Sequence, residues 1–376
     1  MKVMTKLLCA GAALLALSSV QTASAAEEPN PRIQIAILLD TSNSMDGLIA
    51  QAKSQLWQIV NEFIAVKKDG KRPELEVALY EYGKSSLPAA EGYLRMIAPL
   101  TTDLDKLSEE LFVLTTNGGQ EYCGKVIQVA TVELDWSPSN DDLKLIFIAG
   151  NEPFTQGDVD YRKACKAAIA KGIIVNTIHC GPHGTGVSGK WKDGAELADG
   201  KYMCIDQNRQ TVHIAAPQDT EIVRLGEQLT KTYISYGAQG QAGRARQAAQ
   251  ELNAQSASQG SYLQRQITKA SPYYRNTAWD LVDAMKEGKI KLEEVKDKDL
   301  PEEMQKMTDE EKTAFVEAQA KKRAEIQTRI SKLDAERKQY VAQKMKDLSK
   351  SGEDTLDAAM IKAVRTQAGQ KNFKFE

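Results

Sequence analysis

One aspartate and two serines at alternate positions are the residues of this 376-residue chain whose types and spacing best suit chemistry. Asp40, Ser42 and Ser44 follow directly after an apolar run at residues 33–39. A carboxylate and hydroxyls in one short loop are hard oxygen donors, which suit Mg²⁺ or Mn²⁺ with several retained waters. The pattern therefore predicts a metal-binding loop. The competing interpretation is helix capping, because Asp and Ser favour the residue that precedes a helix.

The elements around this loop alternate between strand and helix from residue 31 to residue 237. Apolar or alternating patterns predict strands at residues 33–39, 75–82, 143–149 and 173–178. Helical patterns separate them at residues 48–66, 121–134 and 158–170. This alternation predicts an α/β fold with a doubly wound, mostly parallel central sheet flanked by helices. Ligands of such sheets bind beyond the carboxyl ends of the strands, where the Asp40 loop is expected.

The pattern D-x-S-x-S after a hydrophobic strand and before a long helix resembles the metal-ion-dependent adhesion site (MIDAS) of von Willebrand factor type A (vWA) domains. Residues 196–203 and the helix predicted at 221–233 resemble the elements that close such domains. The resemblance covers residues 33–237 and implies a vWA domain at 31–237. It implies that Mg²⁺ or Mn²⁺ binds an acidic residue of a partner protein, without catalysis.

The family completes its site with a Thr from a second loop and an Asp from a third. In the second loop Gln120 or Glu121 stands where the Thr is expected, and Thr116 is a further hydroxyl. In the third loop Gly150 stands at the Asp position, and Glu152 is the nearest carboxylate. The helix dipole also favours an acidic residue at position 121 without any metal. The resemblance implies these candidate metal ligands: Asp40, Ser42, Ser44, Thr116, Glu121 and Glu152.

The N-terminus predicts export. Lys2 and Lys6 precede an apolar stretch and an A-x-A motif at residues 23–25, so residues 1–26 are expected to be a secretory signal peptide. No later run is apolar enough to span a bilayer, which predicts a protein without stable membrane insertion. The expected location is the periplasm, and an extracellular destination is the alternative. The formal net charge of −2 and the lack of a basic stripe argue against nucleic acid as a partner.

The cysteines that follow the predicted cleavage site are Cys123, Cys165, Cys180 and Cys204. An even number in an exported chain predicts two disulfides. Cys180 and Cys204 flank a Gly-rich excursion between two strands, which favours that pair and leaves Cys123 with Cys165, although three pairings are open. The rival is a zinc site that recruits His179 and His183 beside Cys180, but the spacing matches no strong zinc motif.

The last third of the chain has a different composition, rich in Ala, Gln, Lys and Glu. A Gly-rich hinge at 237–243 precedes a predicted helical region at 244–376, in which a long helix spans 308–348 behind a Thr308–Glu311 capping box. Ile326, Ile330 and Leu333 approximate a heptad seam. The seam is compatible with a coiled coil that forms an oligomer and with a helix docked on the α/β domain.

Three hypotheses of function follow. The first is an exported module that binds a protein partner through the metal site. The second is a metal-dependent hydrolase that uses the Asp40 loop with His179 or His183 as general base, for which no Ser/His/Asp order or phosphate-binding loop is present. The third is a metal-independent cell-envelope scaffold that acts through its C-terminal helices. The intact D-x-S-x-S favours the first, and no catalytic residue is predicted.

Overall fold

The computed structural model describes residues 30–209, 213–348 and 355–375. The predicted signal peptide at 1–26 lies outside these residues. Among the helices described, none combines the length and the apolar character that a membrane crossing requires.

Six strands form the central sheet in the order β4-β3-β1-β5-β6-β7, and β2 pairs with β8 in a separate ribbon. All neighbours in the large sheet are parallel except β4, which runs antiparallel to β3. The predicted doubly wound, mostly parallel sheet is thereby confirmed. The strands are β1 (Arg32–Asp40), β2 (Val66–Lys67), β3 (Glu74–Tyr82), β4 (Leu94–Thr101), β5 (Leu143–Gly150), β6 (Ile173–Cys180), β7 (Tyr202–Ile205) and β8 (Lys374–Phe375).

Helices cover both faces of this sheet and form a further layer beside it. Those of the first half of the chain are α1 (Asp46–Glu62), α2 (Leu104–Phe112), α3 (Cys123–Glu133), α4 (Tyr161–Ala170), α5 (His183–Ser188) and α6 (Trp191–Glu196). Those of the second half are α7 (Asp219–Thr230), α8 (Gly240–Ala257), α9 (Gln259–Ala270), α10 (Leu281–Lys286), α11 (Asp309–Leu348) and α12 (Leu356–Gln370).

Strand β1 is buried on both faces because its alternate side chains enter two cores. Ile33 and Ile35 pack on the side of α1, with Trp57. Ala36 and Leu38 pack on the opposite side, with residues of α3 and α4. A strand that lies between β3 and β5 and is covered on both faces requires the continuous apolar run that the sequence shows. The run ends at Asp40, at the carboxyl edge of the sheet.

The helix that closes the α/β domain is not the predicted one. Helix α7, expected to pack on the sheet, instead shares a core with α9 and α11. Helix α12 takes the place against the sheet and contacts α1, β5, β6 and β7. Its Gln367 exchanges two buried hydrogen bonds with Asn176 of β6, at 3.0 and 2.7 Å. Residues 355–375 therefore pack with the α/β domain, although they follow the predicted boundary at residue 237.

The long helix α11 spans 40 residues, close to the predicted 308–348. The predicted capping box is present, because Thr308 N donates to Glu311 Oε2 at 2.8 Å and Glu311 N donates to Thr308 Oγ1 at 3.3 Å. Ile326 and Ile330 of the predicted seam are buried in the core that α11 shares with α7 and α9. This part of the seam packs within the chain, as the docked-helix alternative predicts.

Helices α7 to α11 form a helical layer beside the sheet. Two buried arginines hold this layer together. Arg265 of α9 bonds to Asp105 Oδ1 at 2.7 Å and to Glu251 Oε1 at 3.1 Å, and its guanidinium lies 4.7 Å from the Trp57 ring centroid. Arg323 of α11 bonds to Asp280 Oδ2 at 2.6 Å and to Asp283 Oδ1 at 2.7 Å. Each buried carboxylate in these networks therefore has a cationic partner.

Candidate functional site

The candidate site begins where β1 ends, at Asp40. This side chain is fully buried, with 0% of its surface exposed. Asp40 Oδ1 accepts a hydrogen bond from Ser42 N at 2.8 Å, which turns the loop back over the end of the strand. The other oxygen, Oδ2, has no hydrogen-bond partner among the described residues. A buried carboxylate oxygen without a partner is energetically costly, so its position calls for a ligand or a proton.

The two serines follow this carboxylate in the loop, where Ser42 is buried and Ser44 is exposed. Ser42 Oγ and Ser44 Oγ are 3.2 Å apart, and Asn151 Nδ2 of the third loop donates to Ser44 Oγ at 3.1 Å. Ser42 precedes a short 3-10 turn without a side-chain capping bond, and Met45 stands at the N-cap of α1. The serine hydroxyls are therefore not used as helix caps, which removes the capping interpretation for them.

Glu121 brings a second carboxylate to Asp40. It is 5% exposed, and its Oε2 has no partner among the described residues. Gly83 follows directly after β3, and a Cβ on it would lie 2.7 Å from Asp40 Oδ1 and 2.8 Å from Glu121 Cγ. Only a glycine fits this approach, and its φ of +82° also favours one. The two carboxylates thus lie together behind Gly83.

Proximity and burial change the protonation of this pair. Burial raises the pKa of the Asp40 carboxyl to about 6. Burial, with the Asp40 carboxylate as a second cause, raises the pKa of Glu121 to about 9. Two buried carboxylates without a counter-charge cannot both ionise cheaply, so without a cation they hold a proton between them at neutral pH.

Gly150, at the end of β5, has no room for a side chain because Tyr82 fills the space. A Cβ on Gly150 would lie 2.6 Å from the Tyr82 hydroxyl and 3.0 Å from Asp40 Oδ2. The Tyr82 hydroxyl donates to Ala149 O at 3.0 Å and is fully buried. A buried tyrosine at the end of β3 therefore occupies the space that a side chain at position 150 would need.

The remaining predicted ligands lie around the rim of the site. Thr116 donates its hydroxyl proton to Asp46 Oδ1, which directs the Thr116 side chain towards the start of α1. Glu152 is exposed and receives a hydrogen bond from Gln156 Nε2 at 3.4 Å. Gln120 is exposed as well. The structure thus brings together Asp40, Ser42, Ser44 and Glu121, with Thr116 and Glu152 at the periphery.

Gln207 is a residue of the site that sequence reasoning missed. It follows β7, and its Nε2 donates to Ser44 O at 2.8 Å. Its backbone oxygen lies against Gly47, at the start of α1. Gln207 is 163 positions from Ser44 in the sequence, and no local pattern links the two residues.

The donor set at this site consists of hard oxygen atoms. Within the described ranges, no group of three or more His, Cys, Asp or Glu side chains is arranged to hold a metal. A cation here would therefore depend on the two serine hydroxyls and on water as well as on carboxylates. That combination of a few protein oxygens with retained waters is the one that Mg²⁺ and Mn²⁺ accept.

The cysteine predictions need correction. All of the cysteines that the structure describes are free thiols, so neither Cys180–Cys204 nor Cys123–Cys165 is bonded. The parallel register places Cys204 beside His179 and Cys180 beside Ile205, so the thiols of Cys180 and Cys204 point to opposite faces of the sheet. Cys123 and Cys165 are buried in the core between α3 and α4, each 0% exposed.

Comparison with known proteins identifies similar folds and no similar sequences. No protein-family model matches the chain, and no curated protein matches it. Among solved structures, BatB from Bacteroides thetaiotaomicron is 19% identical over 46% of this chain and 90% of its own, with a TM-score of 0.35. The SpRpn10 VWA domain is 17% identical over 48% of this chain and 90% of its own, with a TM-score of 0.37.

A von Willebrand factor type A protein from Catenulispora acidiphila is 16% identical over 47% of this chain and 39% of its own, with a TM-score of 0.34. These likenesses cover about half of the chain. In fold, and not in sequence, the chain is similar to vWA domains.

Proposed function

We propose that this protein is an exported recognition module that binds a protein partner through a divalent cation at the Asp40 loop. The observation that carries the proposal is the pair of buried carboxylates, Asp40 and Glu121, each with an oxygen that has no partner among the described residues. Elsewhere in the described chain, buried acids such as Asp105 and Asp280 are paired with arginine. A cation would supply the missing counter-charge.

The proposed ligands are Asp40, Ser42, Ser44 and Glu121, because these are the side chains that the structure brings together. Thr116 and Glu152 are proposed to contribute through water. When bound, Mg²⁺ or Mn²⁺ supplies an electrophilic position at which a carboxylate from a partner replaces water. The hydroxyl ligands are neutral, so the ion keeps enough positive charge to attract that carboxylate.

The chain's own residues prepare this site. The Ser42 amide orients Asp40 through Oδ1 and leaves Oδ2 free to bind. Asn151 and Gln207 hold the side chain and the carbonyl of Ser44, which fixes the loop at the surface. Tyr82, which is fully buried and bonded to Ala149 O, fills the interior side. A loop that is held in place before binding loses less entropy when a ligand arrives.

We further propose binding without catalysis, in the periplasm or outside the cell, with no stable membrane insertion and with no nucleic acid as ligand. The basis for this part is the sequence: the predicted signal peptide, the near-neutral charge and the absence of a nucleophile-and-base pattern.

A metal-independent scaffold is the second candidate, and one observation favours it. The same carboxylate pair can be satisfied by a shared proton, since the pKa of each group is raised. In that case the exposed surface of α11 beyond its docked part would be the contact region. Oligomer formation through this helix belongs to the second candidate.

Calorimetric titration of Mn²⁺ into the metal-stripped full-length mature protein tests the proposal. We expect saturable binding that Asp40→Asn abolishes, because the variant keeps the side-chain shape and loses the charge. Asp69→Asn is the matched control: this exposed aspartate lies in the turn before β3, away from the loop, and should leave binding within about twofold. Absence of binding to the wild-type protein would reject the metal site and leave the scaffold.

A further inference from the structure

The two edge strands of the central sheet, β4 and β7, differ in how their outer sides are protected. Strand β4 carries the exposed Pro99, and its register with β3 shifts twice. Proline and irregular register prevent a further strand from adding to an edge. Strand β7 contains no proline, and its register with β6 is continuous over all four residues. The β7 edge is therefore the one that can accept another strand.

The main-chain groups of β7 face β6 and the outer side in alternation. Lys201 O accepts from Thr177 N at 3.0 Å, and Lys201 N donates to Asn176 Oδ1 at 2.9 Å, so residue 201 faces β6. Orientation alternates along a strand, so Tyr202 and Cys204 direct their N–H and C=O groups outwards. No described residue bonds to these two donors and two acceptors. Their spacing matches the main chain of another extended segment.

A cleft of about 910 Å³ lies along this edge. It is lined by all of β7, by residues 181–183 and by three residues of α12, Lys362, Ala363 and Thr366. The loop lies on the face of Tyr202, whose hydroxyl donates to His183 O at 2.7 Å. Helix α12 lies on the other face, where Ala363 shares a core with Ile205. Walls on both faces leave room for a single strand more readily than for a second helix-covered sheet.

The charges of the cleft favour an acidic occupant. Lys201 and Lys362 are exposed and form no ion pair with any described residue. Lys201 shares its face of the sheet with Ile205, so both lysines lie on the α12 side. The one carboxylate among the described lining residues is Asp206, which already accepts from Asn208 N at 2.9 Å. The α12 side of the cleft therefore has an excess of positive charge.

The opposite wall has an apolar character. The His183 and Tyr202 rings pack with 5.2 Å between their centroids, and Pro182 precedes them in the same wall. Side chains of an added strand alternate between the two faces of the sheet. One set would meet the two lysines and the other set would meet these rings. The walls therefore favour a segment in which acidic and apolar residues alternate.

We propose that the β7 edge is a docking site for an extended segment of a partner protein in which acidic residues alternate with apolar ones. The segment adds to the six-stranded sheet through hydrogen bonds with the main chain of Tyr202 and Cys204. Its acidic side chains pair with Lys201 and Lys362. The cleft adjoins the Asp40 loop through Gln207, but none of the docking groups is a proposed metal ligand, so the inference does not depend on a cation.

Hydrogen–deuterium exchange of the full-length mature protein, with a chelator present, tests the proposal. The probe is the peptide acetyl-Val-Glu-Val-Glu-Val-amide, and acetyl-Val-Lys-Val-Lys-Val-amide is the matched control. We expect the acidic peptide to slow exchange at about two amides within residues 201–206, those of Tyr202 and Cys204. The lysine peptide should leave this exchange unchanged. The chelator separates the result from any cation at the Asp40 loop.

A charge-reversal pair tests the role of the lysines. Lys362→Glu should weaken binding of the fluorescein-labelled acidic peptide about fivefold, as expected for the loss of an exposed ion pair. Lys163→Glu is the matched control, because this exposed lysine lies on α4, which covers the other face of the sheet. It should leave the affinity unchanged. Fluorescence anisotropy measures both affinities, and circular dichroism confirms that each variant is folded.

Four results would overturn the proposal. The first is no binding of the acidic peptide at millimolar concentration, and the second is equal binding of the lysine peptide. The third is binding without slower exchange in residues 201–206, which would exclude strand addition. The fourth is slow exchange there in the free protein that becomes faster on dilution, which would show that a second copy of this chain occupies the edge.

Discussion

The Asp40 loop and the helical layer differ in whether their buried carboxylates have a cationic partner. Asp40 and Asp280 are both 0% exposed. Asp280 bonds to Arg323 through both oxygens, at 2.6 and 3.1 Å, whereas Asp40 has one oxygen without a partner and a second carboxylate beside it. The helical layer uses its buried acids to hold helices together. The loop leaves its acids unpaired, which is the arrangement expected of a binding site.

The same contrast holds for the neighbouring side chains. Around Arg265, each acid has a cation and further hydrogen bonds, as in the contact of Asp105 with Tyr274 at 2.6 Å. Around Asp40, the close neighbours are a serine amide, Gly83, Gly150 and a tyrosine. Burial is therefore common to the two regions, and the presence or absence of a counter-charge is what differs between them.

The largest expected effect comes from removing a cation from the helical layer. Arg265→Met should lower the free energy of unfolding by about 3–5 kcal/mol, because it leaves Asp105 and Glu251 buried without a full counter-charge. Urea denaturation measures the change. Arg329→Met is the control: this exposed arginine pairs with Glu221, and its loss should cost about 0.5 kcal/mol or less. Equal losses in the two variants would contradict the structural role of the buried network.

A matched pair of isosteric substitutions tests the comparison directly. Asp280→Asn should destabilise the protein by about 1–3 kcal/mol, because Arg323 loses part of its counter-charge. Asp40→Asn should stabilise the metal-free protein at pH 7 by about 1–2 kcal/mol, since it removes a carboxylate that burial disfavours. Thermal unfolding with a chelator present gives both values. A change of the same sign in the free energy of unfolding for both substitutions would contradict the difference in charge pairing between the two regions.

Gly150→Ala probes how Tyr82 shapes the site. The added methyl would lie 2.6 Å from the Tyr82 hydroxyl, so we expect a loss of about 1–2 kcal/mol in the free energy of unfolding. Adding Tyr82→Phe to this variant should recover part of the loss, because the hydroxyl is the atom that collides. A double variant whose loss equals the sum of the two single losses would show that the two positions do not interact.

The smallest expected effect is a pH dependence of stability. The pKa values of Asp40 and Glu121 are raised by burial, to about 6 and about 9, so the folded state binds protons more tightly than the unfolded state. Stability from this pair is therefore complete below about pH 4 and is lost as the pH rises through 6 towards 9.

Chelated wild-type protein should lose about 1 kcal/mol more than Asp40→Asn between pH 5 and pH 8, measured by urea denaturation. Added Mn²⁺ should abolish this difference by binding only the wild-type folded state. Parallel curves for the two chelated proteins would contradict the raised pKa values.

The sequence predicted most of the sheet and the core of the site. Continuous apolar runs such as 143–149 require burial on both faces, and this local signal was sufficient to predict parallel strands. Asp40, Ser42 and Ser44 lie in one loop, so their proximity follows from their spacing. The capping box of α11 was also visible as a local pattern, whereas the edge strand β7 was implied by the family resemblance.

Other features depended on contacts between distant segments, which leave no local pattern. The sequence assigned α7 to the sheet, but α7 and α12 are both amphipathic, and only packing decided that α12 covers the sheet. The Cys180–Cys204 pairing seemed reasonable from the loop between them, and only the strand register showed that the thiols face apart. From the sequence, Glu121 could act with the helix dipole or as a metal ligand. Only the structure shows that it lies beside Asp40, next to Gly83.

What the sequence by itself determined is therefore the set of local elements and the D-x-S-x-S loop, because hydrophobic periodicity and short spacings are properties of neighbouring residues. What only the tertiary structure decided is which buried charges are paired. Arg265 and Arg323 reach acids 160 and 43 positions away, and no such partner reaches Asp40 among the described residues. Charge pairing is a property of distances in space, and the fold sets those distances.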